Sequence, residues 1–167
     1  VKIVLLGSSG VGKTSIIQRC LRQQFNFEQE PTTNVGFEQF FLKNQEELVR
    51  VELWDTAGQE KYAEMLPLYY KNASGSIVVF DITDYSTFET AQKLLINIRE
   101  QNPDCKFLLV ANKLDLEDKR EITVMQARNL AASQNAHYIE ISAKTGQNSQ
   151  DLLLYFAQKL VPQKITS

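Results

Sequence analysis

The chain has 167 residues, 43% of them hydrophobic and 23% charged, with a formal net charge of −2 at pH 7. That length predicts one domain with a full core, and the small negative charge gives no general attraction to nucleic acid or to anionic membranes. Two cysteines are too few for a disulfide framework, and no run of about 18 apolar residues marks a transmembrane helix. Cys20 and Cys105 are expected as reduced thiols, which fits a cytosolic compartment. No signal peptide is visible. The chain starts without Met, already inside a strand, and ends Lys164-Ile165-Thr166-Ser167 with no terminal Cys for prenylation, so both ends read as trimmed.

The first apolar run, Val1 and Ile3 to Leu6, predicts a buried strand. Gly7-Ser8-Ser9-Gly10-Val11-Gly12-Lys13-Thr14 follows and fits G-x-x-x-x-G-K-[ST], the phosphate-binding loop pattern. Glycines let the backbone wrap tightly, so that successive N–H groups from Ser9 through Ser15 converge on phosphate oxygens. Lys13 brings a point positive charge to the outer phosphates, and the Thr14 hydroxyl suits a magnesium ion, which takes hard oxygen ligands. Ile16, Ile17, Cys20 and Leu21 at helical spacing predict a helix over Thr14 to Gln24, whose N-terminus adds partial positive charge behind the loop. The motif needs strand, glycine loop and helix in that order, and it has them.

Phe25 to Asn34 lacks a period and reads as a loop. Within it Phe25 can pack on the edge of a base, and Thr32 can complete a magnesium shell when a terminal phosphate is bound. Val35 to Lys43 and Leu48 to Trp54 alternate about a short polar turn, which predicts a hairpin. Aromatics on both faces of its first strand predict partial burial on both sides. Asp55 opens the next loop, Asp55 to Tyr62, at a strand end suited to holding magnesium. The Gly58 N–H can approach a terminal phosphate, and the Gln59 amide, which both donates and accepts, can orient an attacking water.

A short helix is predicted over Glu64 to Asn72, a buried strand over Ser76 to Asp81, a helix over Tyr85 to Arg99 and a buried strand over Lys106 to Ala111. Asn112-Lys113-Leu114-Asp115 comes next. A carboxylate accepts two N–H bonds at once, and guanine offers two adjacent donors where adenine does not. A site that leaves a polar group unpaired rejects an analogue by roughly 10⁴-fold or more. The Lys113 stem can lie along the base, and Asn112 can tie neighbouring loops. The loop Leu116 to Glu121 is too short for a lid. A helix over Thr123 to Ser133 takes Thr123 as its N-cap, and His137 to Ile141 is a strand. It leads into Ser142-Ala143-Lys144, where the Ala143 N–H can read the guanine carbonyl. Leu152, Phe156 and Leu160 mark a last helix.

Alternating strands and helices imply βαβ units and a mostly parallel α/β sheet, with one antiparallel strand from the hairpin. Ligands in such sheets bind outside the carboxyl ends of the strands. The four loops singled out above all follow strands and are expected on that one rim.

GSSGVGKT, WDTAGQEKY, NKLD and SAK occur in the order and spacing of small Ras-like GTPases, and the resemblance covers essentially the whole chain. It implies the P-loop NTPase G-domain fold, a six-stranded mostly parallel sheet flanked by five helices. LWDTAGQEKY, LYYKNA and VFDIT resemble segments of the Rab branch, and Phe37, Trp54 and Tyr69 fall where Rabs carry an aromatic triad that effectors read. Packing of the sheet is the plainer role of these three. The absence of an insert after Asp115 argues against the Rho branch. The resemblance implies GTP or GDP with Mg²⁺, slow hydrolysis, exchange factors, GTPase-activating proteins, a dissociation inhibitor and effectors. It further implies vesicle traffic at the cytosolic face of endomembranes, with membrane contact only through a lipidated C-terminal tail beyond this chain. Thr33, Asn34 and Gly36 depart from the Rab pattern TIGVDF, on a surface that effectors touch in the family. The alternatives are a hydrolysis-deficient nucleotide-held scaffold, another Ras-like branch acting in signalling, or a P-loop kinase, against which Asp115 and the missing lid argue.

Overall fold

The computed structural model describes residues 1–21, 36–44, 47–56, 66–155 and 158–159. The first apolar run forms β1 (Lys2–Gly7), and the glycine loop leads from it into α1 (Lys13–Leu21). The hairpin is β2 (Gly36–Asn44) and β3 (Glu47–Asp55), in antiparallel register from Gly36 opposite Asp55 to Asn44 opposite Glu47. Then come α2 (Leu66–Tyr70), β4 (Gly75–Asp81), α3 (Tyr85–Gln101) and β5 (Lys106–Asn112). The chain continues through a 3-10 turn over Leu114–Lys119 to α4 (Val124–Ser133), β6 (Ala136–Glu140) and α5 (Ser149–Tyr155). The sheet order is β2-β3-β1-β4-β5-β6, and every pairing except β2 with β3 is parallel.

The parallel strands read as continuous apolar runs because both faces of the sheet are covered. Side chains alternate across the pleat. Ile3, Leu5, Ile77, Val79, Leu108 and Val110 pack on one side with Ile16 and Ile17 of α1 and Leu152 of α5. Val4, Leu6, Val78, Phe80, Phe107 and Leu109 pack on the other with Phe88, Ala91 and Leu95 of α3 and Ala127 and Leu130 of α4. Right-handed crossovers of this kind bring the carboxyl ends of β1, β3, β4, β5 and β6 to one rim.

Three local features differ from the sequence reading. Phe41 is 63% exposed, so the hairpin's outer face is open at that position; the partner faces of Val51 and Leu53 are the buried ones. Helix α2 stops at Tyr70, two residues short of the predicted end, because Asn72 adopts the left-handed conformation at φ 63°. The segment after Asp115 is a helical turn rather than an irregular loop: the Leu116 N–H donates to the Lys113 carbonyl at 2.8 Å and the Arg120 N–H to that of Glu117 at 3.2 Å. Arg120 then clamps the turn, with 2.7 and 2.8 Å bonds to Glu117 and a 2.8 Å bond to Glu140 on β6.

Candidate nucleotide site at the carboxyl rim

Lys13 is almost fully buried, and its Nζ folds back over the glycine loop to the carbonyls of Gly7 at 2.7 Å and Ser8 at 2.9 Å. Thr14, next in α1, donates its hydroxyl to Asp55 Oδ2 at 2.8 Å. Asp55 is the last residue of β3 and is 4% exposed, so one hydroxyl and one carboxylate from two elements meet at the mouth of the loop. Gly10 and Gly12 have φ of 80° and 98°, in the region L side chains avoid. A Cβ on Gly12 would also strike Nδ2 of Asn112.

That contact belongs to a second link. Asn112, at the end of β5, donates from Nδ2 to the Val11 carbonyl at 2.8 Å and accepts at Oδ1 from the Ala143 N–H at 3.0 Å. The Ser142 hydroxyl donates to Asp115 Oδ1 at 2.7 Å and accepts from the Thr145 N–H at 3.1 Å. The Ala143 amide, expected to read a base carbonyl, is thus engaged by Asn112 in this conformation. Asp115 keeps a second oxygen and spare lone pairs on the first. Lys113 sits at φ 69°, and its ammonium lies 2.7 Å from Asp81 Oδ2 at the end of β4. Asp81 Oδ1 accepts from the N–H and hydroxyl of Thr83, at 2.8 and 2.7 Å. Burial pushes the Asp81 carboxyl up, but the bonds from Lys113 and Thr83 outweigh it and hold the group below its ordinary value.

Of the aromatic triad, Trp54 and Tyr69 approach to 6.3 Å between ring centroids, and both lean on the core beneath α3. The Lys2 ammonium lies 4.7 Å over the Trp54 ring. Phe37 is paired with Trp54 across the hairpin, and its side chain lies outside the described residues. So do Phe25, Thr32, Gly58 and Gln59.

Arg19 was not foreseen as part of the site. From the last turn of α1 its guanidinium donates to the carbonyls of Ala143, at 2.8 Å, and Lys144. Asp81 and Thr83 were likewise missed. Arg19 reaches across 124 residues of sequence and belongs to no short motif, so only the folded chain reveals it.

The glycine loop, a hydroxyl–carboxylate pair and a carboxylate after an Asn-Lys pair meet on one rim. Residues 2–161 match the family described as Ras family. The chain belongs to the Ras family. This Ras-family chain is 39% identical over 160 residues to the Ras-related protein Rab5 of Nicotiana tabacum, covering 95% of this chain and 80% of the relative. Identity to the Ras-related protein RABF2a of Arabidopsis thaliana is also 39%, with the same coverage. The GTP-binding protein YPT53 of Saccharomyces cerevisiae is 38% identical over 167 residues, covering 96% of this chain and 76% of the relative. The protein is a guanine-nucleotide-binding GTPase of the Rab-like kind.

Proposed function

We propose that the chain is one G domain acting as a Rab-type switch in vesicle traffic, and that the rim described above is its nucleotide and Mg²⁺ site. The observation that carries this is the pair of links joining the loops: Thr14 to Asp55 at 2.8 Å, and Asn112 to Val11 and Ala143 at 2.8 and 3.0 Å. They join the glycine loop to the loops that follow β3, β5 and β6 on one edge of the sheet, which supports reading these as a phosphate cradle and a base-reading loop.

Each residue has its part. The amides from Ser9 to Ser15 and the Lys13 ammonium take the phosphate charge. Asp115 accepts the two adjacent donors of guanine while Ser142 holds its other side, and Lys144 and Ala143 close the loop over the base. The proposed role of Phe25 is to pack on the base edge. Thr14 and Asp55 offer hard oxygen donors of the type Mg²⁺ takes, and Thr32 adds a third when the γ-phosphate is present. A Mg²⁺ ion held by these oxygens would supply neutralisation of the phosphate charge. Gln59 orients water for in-line attack, and Gly58 donates its N–H to the γ-phosphate. No arginine of the described residues reaches the phosphate cradle, so intrinsic turnover is slow, and an arginine supplied by a GTPase-activating protein adds about 10³–10⁵ in rate.

Loss of the γ-phosphate releases Thr32 and Gly58 together, which is the switch. Effectors read Phe37, Trp54 and Tyr69 alongside the altered Thr33, Asn34 and Gly36. Exchange factors and a dissociation inhibitor complete the cycle between cytosol and endomembranes, through a lipidated tail beyond this chain. Among the described residues no helix is long and apolar enough to cross a membrane. The test is phosphate release by the purified protein with Mg²⁺. GTP is expected to turn over slowly, ATP not at all, and Gln59→Leu to slow hydrolysis with GTP binding intact. Equal release from ATP removes the base assignment, and an unaffected Gln59→Leu variant removes the water-positioning role.

A further inference from the structure

We propose that Asp81 is a positioning residue that sets the residence time of guanine nucleotide by holding Lys113 in place. The proposal rests on the guanine-site reading above. Lys113 is fixed at both flanks: Asn112 is tied to Val11 and Ala143, and the Leu114 N–H donates to the Ile141 carbonyl at 3.1 Å. Its own backbone is left-handed, at φ 69° and ψ 37°, a conformation a lysine occupies at a cost. What remains free is the flexible four-carbon stem with its several rotatable bonds.

Asp81 removes that freedom. Its side chain is only 8% exposed while that of Lys113 is 34% exposed, so the pair has a buried carboxylate end and a partly exposed ammonium end. The buried end is itself held, because Thr83 donates twice to Oδ1 and leaves Oδ2 aimed at the ammonium. The end of β4 is further joined to the loop by the Ile82 N–H, which donates to the Asn112 carbonyl at 3.2 Å. A stem anchored at backbone and head presents its methylenes as a ready-made edge for the base. Ordering it in advance lowers the cost of holding the ligand. Asp81 touches no nucleotide atom in this account, and base choice stays with Asp115.

The experiment follows dissociation of ribose-labelled fluorescent GDP, with Mg²⁺, from the unaltered protein, Asp81→Asn, Lys113→Met and the double variant. Asparagine keeps an acceptor but loses the charge, so GDP is expected to leave Asp81→Asn roughly tenfold faster, with guanine still preferred over xanthine. In the Lys113→Met background the same change is expected to add nothing. An Asp81→Asn rate equal to that of the unaltered protein overturns the proposal. So does the same acceleration in both backgrounds, which marks general loosening of β4. Should Asp81→Asn fail to fold, Thr83→Val keeps the carboxylate and removes one of its donors. It is then expected to speed release by a smaller factor, again only when Lys113 is present, and any other result overturns the proposal. If the unaltered protein does not discriminate GDP from ADP, the guanine reading itself falls; if it does and Asp81→Asn is silent, only the role of Asp81 falls.

Discussion

Asn112 spans three loops with one amide, using its donor on Val11 and its acceptor on Ala143. It is 3% exposed, so leaving either end unmet would strand a buried polar group at about 1–3 kcal/mol. This explains why position 12 must be glycine on packing grounds as well as on backbone conformation: any Cβ there displaces the amide. On the proposed guanine reading, Asp115 decides base identity. Its carboxylate accepts only, and guanine supplies donors only at that edge. Asp115→Asn replaces one acceptor by a donor, so GTP affinity is expected to fall by at least tenfold and xanthosine triphosphate, with an oxygen at the same place, to bind better than GTP. Competition binding with the two nucleotides measures this; unchanged GTP affinity would rule out the base-reading role.

Elements carry the site by the way their ends are built. Thr123 caps α4 with a complete capping box: its hydroxyl accepts from the Gln126 N–H at 3.1 Å and the Gln126 side chain accepts from the Thr123 N–H at 2.9 Å. Thr123→Ala is expected to cost about 1 kcal/mol, or roughly 2–4 °C in Tm for a chain of this size, while leaving GDP release unchanged; thermal melts and release rates check both halves. Thr123 as the cap was legible in the sequence, as were the strands and helices with an apolar period among the described residues, because local patterns fix local structure; Gln24, Phe156 and Leu160, on which the ends of the first and last helices were predicted, lie outside those residues. That the phosphate-loop motif, Asp55, Asn112 to Asp115 and Ser142 to Lys144 meet on one rim was legible for a different reason: each follows a strand of one parallel sheet, and the ligand roles read from their spacing stay with the proposal. Arg19 and Asp81 were not. Each acts through a partner distant in sequence: Arg19 belongs to no short motif, and VFDIT, which holds Asp81, does not point to Lys113. The early end of α2 was hidden as well, since a left-handed asparagine at position 72 is one of several places where that helix had room to stop.

At the scale of the whole molecule, ionisable groups divide by the sign of their shifts. Asp81 is held below its ordinary value of 3.8, so its contribution to stability is complete above that pH and is lost as the pH falls through the lower folded value. Cys105 is pushed above 9.0 by burial; Tyr155 is pushed above 10.0 by burial, and Tyr138 by burial and the neighbouring Glu140. The fold favours their neutral forms, so what they add is present below those ordinary values and is lost as the pH rises past them. Urea midpoints are therefore expected to be level from about pH 5 to 8 and to drop on both sides. Tyr138→Phe should blunt the alkaline fall, and an unchanged alkaline limb would show that this hydroxyl is not among its causes.

The Arg19 grip gives the rim a mechanical character. Helix α1 grows out of the phosphate loop, Arg19 at its far end holds the carbonyls of Ala143 and Lys144, Ala143 is bonded to Asn112, and Asn112 returns to the phosphate loop at Val11. The glycine loop and the loops that follow β5 and β6 thus form a closed ring with no free end. Strain put on one joint is shared by all the others, so the ring gives way as a whole or not at all. The bond from the Thr14 hydroxyl to Asp55 branches off this ring toward β3, so losing it leaves the circuit of the other joints unbroken.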